Sequence, residues 1–152
     1  MIVFRLTTAK HAHDLSGKGA EMTGGRWNNK GIAIVYTSES RALCMLEVAV
    51  HLPLGSLPKD YVLISLQVPD GSIQTISQTY LSEDWNQFPP KPSTRQLGDT
   101  FVSERKKLLL KVPSALVPDE HNFLINPAHK DFPQVKILAV EPFLFDSRFF
   151  IR

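Results

Sequence analysis

The sequence predicts a single α+β domain that spans residues 1–152. A chain of this length fits one domain and is long enough to bury a substantial hydrophobic core. Its strand and helix patterns follow one another in mixed order, which is typical of α+β folds, whereas doubly wound sheets alternate strands with helices. The chain shows no internal repeat and no low-complexity linker that would divide it.

The N-terminal part is predicted to hold two strands joined by a long loop. The segment Ile2 to Leu6 indicates the opening strand, and the β-branched run Ile32 to Tyr36 indicates the second. The polar, glycine-containing stretch Thr7 to Lys30 lies between them. Loops of this length are uncommon inside compact domains and tend to be functional, so we expect this one to contribute to a site.

A helix follows the second strand. Ser38, Glu39 and Ser40 form a plausible helix start, and the helix is predicted to run from Arg41 to His51. Pro53 closes it. A strand from Tyr61 to Val68 comes next and ends in a proline- and glycine-containing turn.

The C-terminal half is predicted to contain one longer helix and further strands. After a proline-rich break, a helix capped by Ser93 or Thr94 runs to about Lys106. The other predicted elements are a helical turn at Leu81 to Trp85 and strands at Leu108 to Val112, Val135 to Val140 and Phe143 to Phe145.

Composition and charge argue against several classes of protein. A net charge of +2 and the lack of a basic stripe do not indicate direct nucleic-acid binding. No apolar stretch reaches the length of a membrane span, and the N-terminus reads as a strand, not a signal peptide. The single cysteine, Cys44, is unable to form an intramolecular disulfide. We therefore expect a soluble, cytoplasmic protein.

Glu47 is the first candidate for catalysis, because it is the only formal charge between Arg41 and Lys59. Its neighbours on the predicted helix are mostly apolar, so this helix is expected to be covered on most sides. A carboxylate in that setting must be paired, hydrogen-bonded or protonated. We favour a functional carboxylate over a buried ion pair that only holds the core together.

The segment Gly24-Gly25-Arg26-Trp27-Asn28 is a second candidate. Two glycines allow a ligand to approach the backbone, and the guanidinium of Arg26 offers forked donors that suit a phosphate. Read in isolation, the segment is better explained as a surface turn with a solvated arginine. The glycines match neither the Walker spacing nor the dinucleotide fingerprint.

The remaining chemistry-bearing residues give weaker signals. Tyr36 ends a predicted strand, where a ring either stacks on a flat ligand or packs in the core. Ser114 lacks the glycines of a nucleophile elbow, which argues against a serine hydrolase. Cys44 is expected to be a small buried hydrophobe. The five histidines show no zinc-site spacing, so we expect no metal.

Several separated segments resemble, in the same order, the motifs of the RES-domain family, named for a shared arginine, glutamate and serine. The likeness extends from Arg5 to Arg148. Its segments are Gly17-Lys18-Gly19-Ala20, Gly24-Gly25-Arg26-Trp27-Asn28, Val35-Tyr36-Thr37-Ser38, Leu46-Glu47, Val112-Pro113-Ser114-Ala115 and Asn122-Phe123-Leu124-Ile125-Asn126-Pro127.

The resemblance implies a toxin of a bacterial toxin–antitoxin pair, with a fold similar to ADP-ribosyltransferases of the diphtheria-toxin type, built from mixed sheets and a few helices. Such toxins consume NAD. Some phosphorolyse or hydrolyse it, and others transfer ADP-ribose to a protein. NAD is therefore the expected substrate, and inorganic phosphate is one candidate acceptor.

The same resemblance assigns the site residues. The family's catalytic arginine, tyrosine and glutamate fall on Arg26, Tyr36 and Glu47. Arg5 stands on the first strand, where diphtheria toxin carries a histidine, and is a secondary candidate together with Trp27 and Asn28. Contacts to NAD are expected from Gly25, Arg26, Tyr36, Ser114, on which the family's serine falls, and Asn126.

The expected partner is a cognate Xre-like helix-turn-helix antitoxin that covers the mouth of the site or blocks its loop. The C-terminal phenylalanines either offer a surface for partner binding or for a homodimer, or they complete the core; these are Phe143, Phe145, Phe149 and Phe150. A non-catalytic binding module, in which the charged core residues are structural, is the remaining alternative.

Overall fold

Seven strands form one sheet in the computed structural model, which describes residues 1–151. Their order across the sheet is β4-β5-β6-β2-β1-β3-β7, where the strands are β1 (Ile2–Thr8), β2 (Val35–Ser38), β3 (Tyr61–Gln67), β4 (Ile73–Thr75), β5 (Leu109–Pro113), β6 (His121–Ile125) and β7 (Lys136–Phe143). The pairing of β4 with β5 is parallel and all other pairings are antiparallel.

Three α-helices pack around this sheet: α1 (Lys18–Thr23), α2 (Arg41–Ala49) and α3 (Pro92–Glu104). The side chain of Ser40 caps α2 by accepting a hydrogen bond from the Leu43 N–H. In α3, Gly98 lies directly against the loop backbone, and a Cβ there would overlap the carbonyl oxygen of Trp27. Only glycine therefore allows α3 to pack this closely against the loop that follows α1.

The sheet buries apolar side chains on both faces, because successive residues of a strand point to opposite sides. One face carries a single cluster that includes Val35. The other face carries two clusters: Leu124 packs with Phe101 of α3 in one, and Leu6 packs with Cys44 of α2 in the other. The second face is therefore divided into two halves.

At the boundary between those halves, the two neighbouring strands β1 and β2 are paired at one position only. β1 and β2 share only the pair Phe4 and Ser38, whereas β1 and β3 share seven pairs. Strands that pair at a single position diverge beyond it. A cleft therefore opens between β1 and β2, with the two clusters on either side.

The predicted α+β class is confirmed, and the predicted strands and helices around β1, β3, α2 and α3 coincide with observed elements. The prediction of one continuous loop from Thr7 to Lys30 is wrong, because α1 lies within it. The strands β4 and β6 were not predicted. β4 is only three residues long. β6 begins with two polar residues, so its apolar run is too short to indicate a strand.

Three element boundaries also differ from the predictions. Lys91, not Ser93 or Thr94, precedes α3, because Pro92 fits the first helical turn. The second strand begins at Val35, not at Ile32. The predicted strand from Phe143 to Phe145 is absent, since β7 itself ends at Phe143.

The C-terminal phenylalanines mostly complete the core. Phe145 and Phe150 are each 5% exposed, and their rings pack edge to face at 5.4 Å. Phe143 packs partly buried against Phe145, whereas Phe149 is 49% exposed. Within residues 1–151, none of the helices combines the length and the apolar character that a bilayer crossing requires.

Candidate active site

A cavity of about 1270 Å³ occupies the cleft between the two halves of the sheet. Trp27 and Ile34 of one apolar cluster and Leu6 and Cys44 of the other belong to its lining. Among the predicted site residues, those that line it are Arg5, Gly25, Arg26, Trp27, Asn28, Tyr36 and Glu47. Residues from β1, β2, α2 and the loop after α1 thus meet at one place.

Glu47 is hydrogen-bonded and not ion-paired within the described residues. Its Oε1 accepts from Ser114 Oγ at 2.9 Å and from Asn122 Nδ2 at 2.6 Å. No described residue donates to Oε2, which leaves this oxygen free for a ligand. The two donors on one oxygen orient the carboxylate without neutralising it.

The predicted burial of the helix around Glu47 is wrong in degree. Only Leu43 and Cys44 of α2 are buried, Glu47 is half-buried, and Val50 beside the helix end is 56% exposed. The helix packs on the sheet with one side and borders the cavity with another. The charge therefore faces the cavity instead of lying in an apolar core.

Asn122 is a site residue that sequence reasoning did not single out. It lies opposite Ser38 in the pairing of β2 with β6. Its Oδ1 accepts from Ser38 Oγ at 2.7 Å while its Nδ2 holds Glu47. Its presence in the segment Asn122 to Pro127 that carries the resemblance was the available signal.

Ser114 holds the Glu47 carboxylate by a hydrogen bond but does not itself line the cavity. It follows β5 directly, and its Oγ donates to Glu47 while accepting from the N–H groups of Leu116 and Val117, both at 3.1 Å. Ser114 is 6% exposed. Its geometry suits positioning of Glu47 more than direct contact with a ligand.

Arg26 lies in the loop after α1, and two backbone carbonyls orient its guanidinium. Nη1 donates to the carbonyl oxygens of Trp85 and Gln87, both at 2.9 Å. Burial lowers the pKa of Arg26, and the negative charge of Glu47 partly opposes that shift. Carbonyls do not neutralise the cation, so its charge is available to an anionic ligand.

Tyr36 holds this loop in place through its hydroxyl. The hydroxyl donates to Asn28 Oδ1 at 2.7 Å and accepts from the Trp27 N–H at 3.1 Å. A Cβ on Gly25 would lie 2.7 Å from the same oxygen, so this position needs glycine. Burial raises the pKa of Tyr36 well above its usual range, and the hydroxyl stays protonated.

Asn28 and Trp27 build the loop from within. Asn28 is fully buried, and its Nδ2 donates to the carbonyl oxygens of Ala20, Asn29 and Ile32. Trp27 is 2% exposed and packs against Trp85 with ring centres 6.1 Å apart. Both side chains make these contacts within the protein, although both also line the cavity.

Asn126 lies apart from the other predicted residues. Its Nδ2 donates to the Val102 carbonyl at 3.0 Å, and its Oδ1 accepts from the Ala128 N–H at 2.9 Å. It is fully buried and is not part of the cavity lining. The bond to Val102 connects the end of β6 to α3.

Two further features of the cavity were not predicted. Arg95 of α3 lines it and donates from Nη2 to the Pro90 carbonyl at 2.8 Å. Phe88 also lines it, although 77% exposed, and its ring centre lies 6.5 Å from that of His51. Neither residue belongs to a motif, and only the fold brings them to the cavity.

The charges of the cavity suit a ligand with anionic groups. Three guanidinium groups and the Lys30 ammonium line it, whereas Glu47 is the only carboxylate among its lining residues in the described chain. Within residues 1–151, no group of three or more His, Cys, Asp or Glu side chains is arranged to hold a metal ion. The charged groups of the cavity are therefore one oriented carboxylate and several cations.

Comparison with known proteins finds relatives over almost the whole chain. This chain is 43% identical over 140 residues to a "Prs ADP-ribosylating toxin" of Sphingobium sp. strain YBL2. The match covers 90% of this chain and 87% of the relative. The chain is 39% identical to a "Toxin Res" of Photorhabdus laumondii (87% of this chain, 85% of the relative) and 36% identical to one of Yersinia enterocolitica (97% and 99%).

A solved structure has the same fold. A chain of the M. tuberculosis MbcT-MbcA toxin-antitoxin complex matches 94% of this chain and 84% of its own length, with a TM-score of 0.75 and 20% identity. At that identity the likeness concerns the fold alone. The model of the RES domain matches residues 2–146. The chain therefore belongs to the RES domain family.

Proposed function

We propose that this chain is a toxin that cleaves the nicotinamide–ribose bond of NAD, with phosphate or water as acceptor. The observation that carries the proposal is the Glu47 carboxylate, held by Ser114 and Asn122 with Oε2 free, in a cavity whose other charged lining residues are cations. The names of the relatives in Photorhabdus and Yersinia support the toxin role.

Glu47 suits the role of stabilising the transition state. Breaking the nicotinamide–ribose bond develops oxocarbenium character at the sugar, as glycoside cleavage does. A carboxylate that hydrogen-bonds a ribose hydroxyl and faces this positive charge favours the transition state over the ground state. Because Ser114 and Asn122 fix its orientation beforehand, little reorganisation accompanies the reaction.

Arg26 and Tyr36 would bind the dinucleotide. The guanidinium of Arg26 suits the pyrophosphate or the ribose edge, and Gly25 beside it also lines the cavity. The Tyr36 ring lines the cavity and offers a face for nicotinamide. Its hydroxyl is engaged by Asn28 and Trp27, so we assign it to shaping the loop and not to proton transfer.

Transfer of ADP-ribose to a protein is the second candidate, since the same bond breaks and only the acceptor differs. It is favoured by the printed name of the Sphingobium relative, an ADP-ribosylating toxin. The open side of the cavity, bordered by exposed Phe88 and His51, would have to admit a protein side chain.

We further propose a cognate antitoxin as partner, of the Xre-like helix-turn-helix kind. The structural neighbour was solved with an antitoxin, and the relatives are named as toxins. Exposed Phe149 lies in a small apolar hollow that also includes Val50 and Leu116, two residues that line the main cavity. A homodimer within the complex would use the same kind of surface.

Incubation of the pure protein with NAD, with and without inorganic phosphate, tests the proposal. ADP-ribose 1″-phosphate would identify phosphorolysis, and free ADP-ribose would identify hydrolysis. A parallel incubation with labelled NAD and cell extract tests the protein acceptor. Glu47→Gln is the control for each arm. Intact NAD in all arms with the wild-type protein would contradict every form of the proposal.

A further inference from the structure

Phe88 stands at the rim of the cavity with most of its ring in solvent. It is 77% exposed although it lines the cavity, and the ring centre of exposed His51 lies 6.5 Å from its own, with an angle of 49° between the ring planes. A flat ligand that covers an exposed ring gains hydrophobic and stacking energy that water does not supply. The rim of the cavity therefore offers a face to an aromatic base.

The other aromatic rings of the cavity lining are buried wholly or in part. Trp27 is 2% exposed and packs against Trp85, and Tyr36 is half-buried in β2 with its hydroxyl bonded to the loop after α1. Among the Phe, Tyr and Trp residues that line the cavity in the described chain, Phe88 alone is exposed. A ligand with two flat bases would thus meet Tyr36 inside the cavity and Phe88 at its rim.

Hydrogen bonds fix the backbone on both sides of Phe88. Arg26 donates to two carbonyl oxygens of the residues before it, both at 2.9 Å, and Arg95 donates to the Pro90 carbonyl after it at 2.8 Å. The ring is therefore presented from an anchored segment. Binding a ligand to such a segment costs less conformational entropy than ordering a free loop does.

The same bonds place Phe88 beside the residue that is assigned to the pyrophosphate. Arg26 bonds to the carbonyl of Gln87, the residue directly before Phe88. NAD carries one flat base on each side of its pyrophosphate. With nicotinamide against Tyr36 and the pyrophosphate at Arg26, the base that remains for the rim is adenine.

We propose that the ring of Phe88, flanked by His51, stacks on the adenine of the dinucleotide. The assignment rests on the proposed NAD-cleaving function for the identity of the ligand. Stacking on an aromatic side chain contributes to the binding of any base, because every base has a flat face. Phe88 thus determines affinity for the adenosine half, while Glu47 acts on the other half of the molecule.

The test uses the full chain carrying Glu47→Gln, so that no ligand is consumed. Phe88→Ala in this background is compared with Tyr80→Ala, which removes an 87% exposed aromatic ring outside the cavity. Calorimetry measures binding of two probes: ADP-ribose, which has adenine but no nicotinamide, and nicotinamide mononucleotide, which has nicotinamide but no adenine. We expect Phe88→Ala to weaken ADP-ribose binding by roughly 5- to 100-fold and to leave the mononucleotide unchanged. Tyr80→Ala should change neither.

The two probes separate the two bases. Loss confined to ADP-ribose supports the assignment, whereas loss for the mononucleotide, alone or to the same degree, would overturn it. Equal ADP-ribose binding by Phe88→Ala and Tyr80→Ala would also overturn it, and would leave the exposed ring for contact with a protein partner. A parent that does not bind ADP-ribose has the same consequence for the proposal.

Two further measurements distinguish stacking from a structural role. Because Phe88 is mostly exposed, Phe88→Ala should melt at the temperature of the parent, and Phe88→Trp, which keeps a stacking face, should restore ADP-ribose binding. A lowered melting temperature in Phe88→Ala without restored binding in Phe88→Trp would show a structural role and overturn the proposal.

Kinetics on the chain with Glu47 intact keep this proposal apart from the proposed function. Phe88→Ala should raise KM for NAD by the same factor as it weakens ADP-ribose, with kcat little changed, because the stacked adenine is remote from the bond that breaks. Base-dependent ADP-ribose binding without any NAD cleavage would contradict the proposed function alone. NAD cleavage with an unchanged KM in Phe88→Ala would contradict the stacking alone.

Discussion

Ser114 Oγ donates a 2.9 Å hydrogen bond to Glu47 Oε1 and joins the end of β5 to α2 across 67 positions of sequence. The same oxygen of Ser114 accepts two backbone N–H groups, so its position is determined before Glu47 is considered. Ser114 and Glu47, the residues to which the resemblance assigns the family's serine and glutamate, are thereby linked directly, and the serine orients the carboxylate.

Ser114→Ala should reduce catalysis more than stability. The variant removes one of two donors to Glu47, and we expect NAD cleavage to fall by roughly tenfold and the free energy of unfolding by about 1 kcal/mol. Turnover assays and chemical denaturation measure both. Ser103→Ala is the matched control, because the exposed Ser103 hydroxyl bonds only to a carbonyl of its own helix. An unchanged rate in Ser114→Ala would contradict the positioning role.

Glu47→Ala should stay folded and lose toxicity. The residue has no ion pair within residues 1–151 and is half-buried, so the ~3–5 kcal/mol loss expected when a buried pair is broken should not occur. A thermal melt beside a growth assay measures the two effects. A variant that unfolds at growth temperature would instead support the binding-module alternative.

Gly25→Ala should disturb the loop that carries Arg26. The added Cβ would lie 2.7 Å from the Tyr36 hydroxyl and 3.1 Å from Asn28 Oδ1, so the loop must shift. We expect a destabilisation of about 1–3 kcal/mol and loss of NAD cleavage. Gly19→Ala is the matched control, because a Cβ there meets nothing within 4 Å. It should be neutral or stabilising in its helix. Equal behaviour of both variants would refute the close contact.

Tyr36→Phe should separate the ring from the hydroxyl. Without the hydroxyl, Asn28 Oδ1 and the Trp27 N–H lose their partner, which should cost about 1–3 kcal/mol of stability. The ring remains, so catalysis below the melting temperature should fall much less than in Tyr36→Ala. A Tyr36→Phe protein as inactive as Tyr36→Ala would assign the hydroxyl a direct part in the chemistry.

Cys44 should make the protein less stable at high pH. Burial raises the pKa of the Cys44 thiol from 9.0 to about 12, so the folded state keeps its proton where the unfolded state loses it. Stability from this group is therefore fully present below pH 9 and falls as the pH rises toward 12. Denaturation at several pH values, with Cys44→Ala as control, measures the difference. The native thiol should also resist alkylation at pH 8.

The sequence predicted several residues that line the candidate site, because their motifs carry chemical signals of their own. Glu47 was conspicuous as a lone charge in an apolar segment, and Arg26 stood beside two glycines. The resemblance added Tyr36 and Ser114. The sequence pattern predicted too much burial for α2. The apolar neighbours of Glu47 indicated a covered helix, but part of that apolar surface borders the cavity and the solvent. The spacing of apolar residues does not distinguish a helix face packed against protein from one that borders a cavity.

The sequence by itself determined the α+β class, the loop that carries Arg26 and the candidate carboxylate, because these depend on local composition and spacing. Only the tertiary structure decided that Asn122 holds Glu47, that the Tyr36 hydroxyl is engaged by the loop and that the Nε of Arg5 has no hydrogen-bond partner within residues 1–151. The first two depend on contacts between a strand and another element, α2 for Asn122 and the loop after α1 for Tyr36. Sequence spacing does not encode such contacts, since sheet register and strand separation create them.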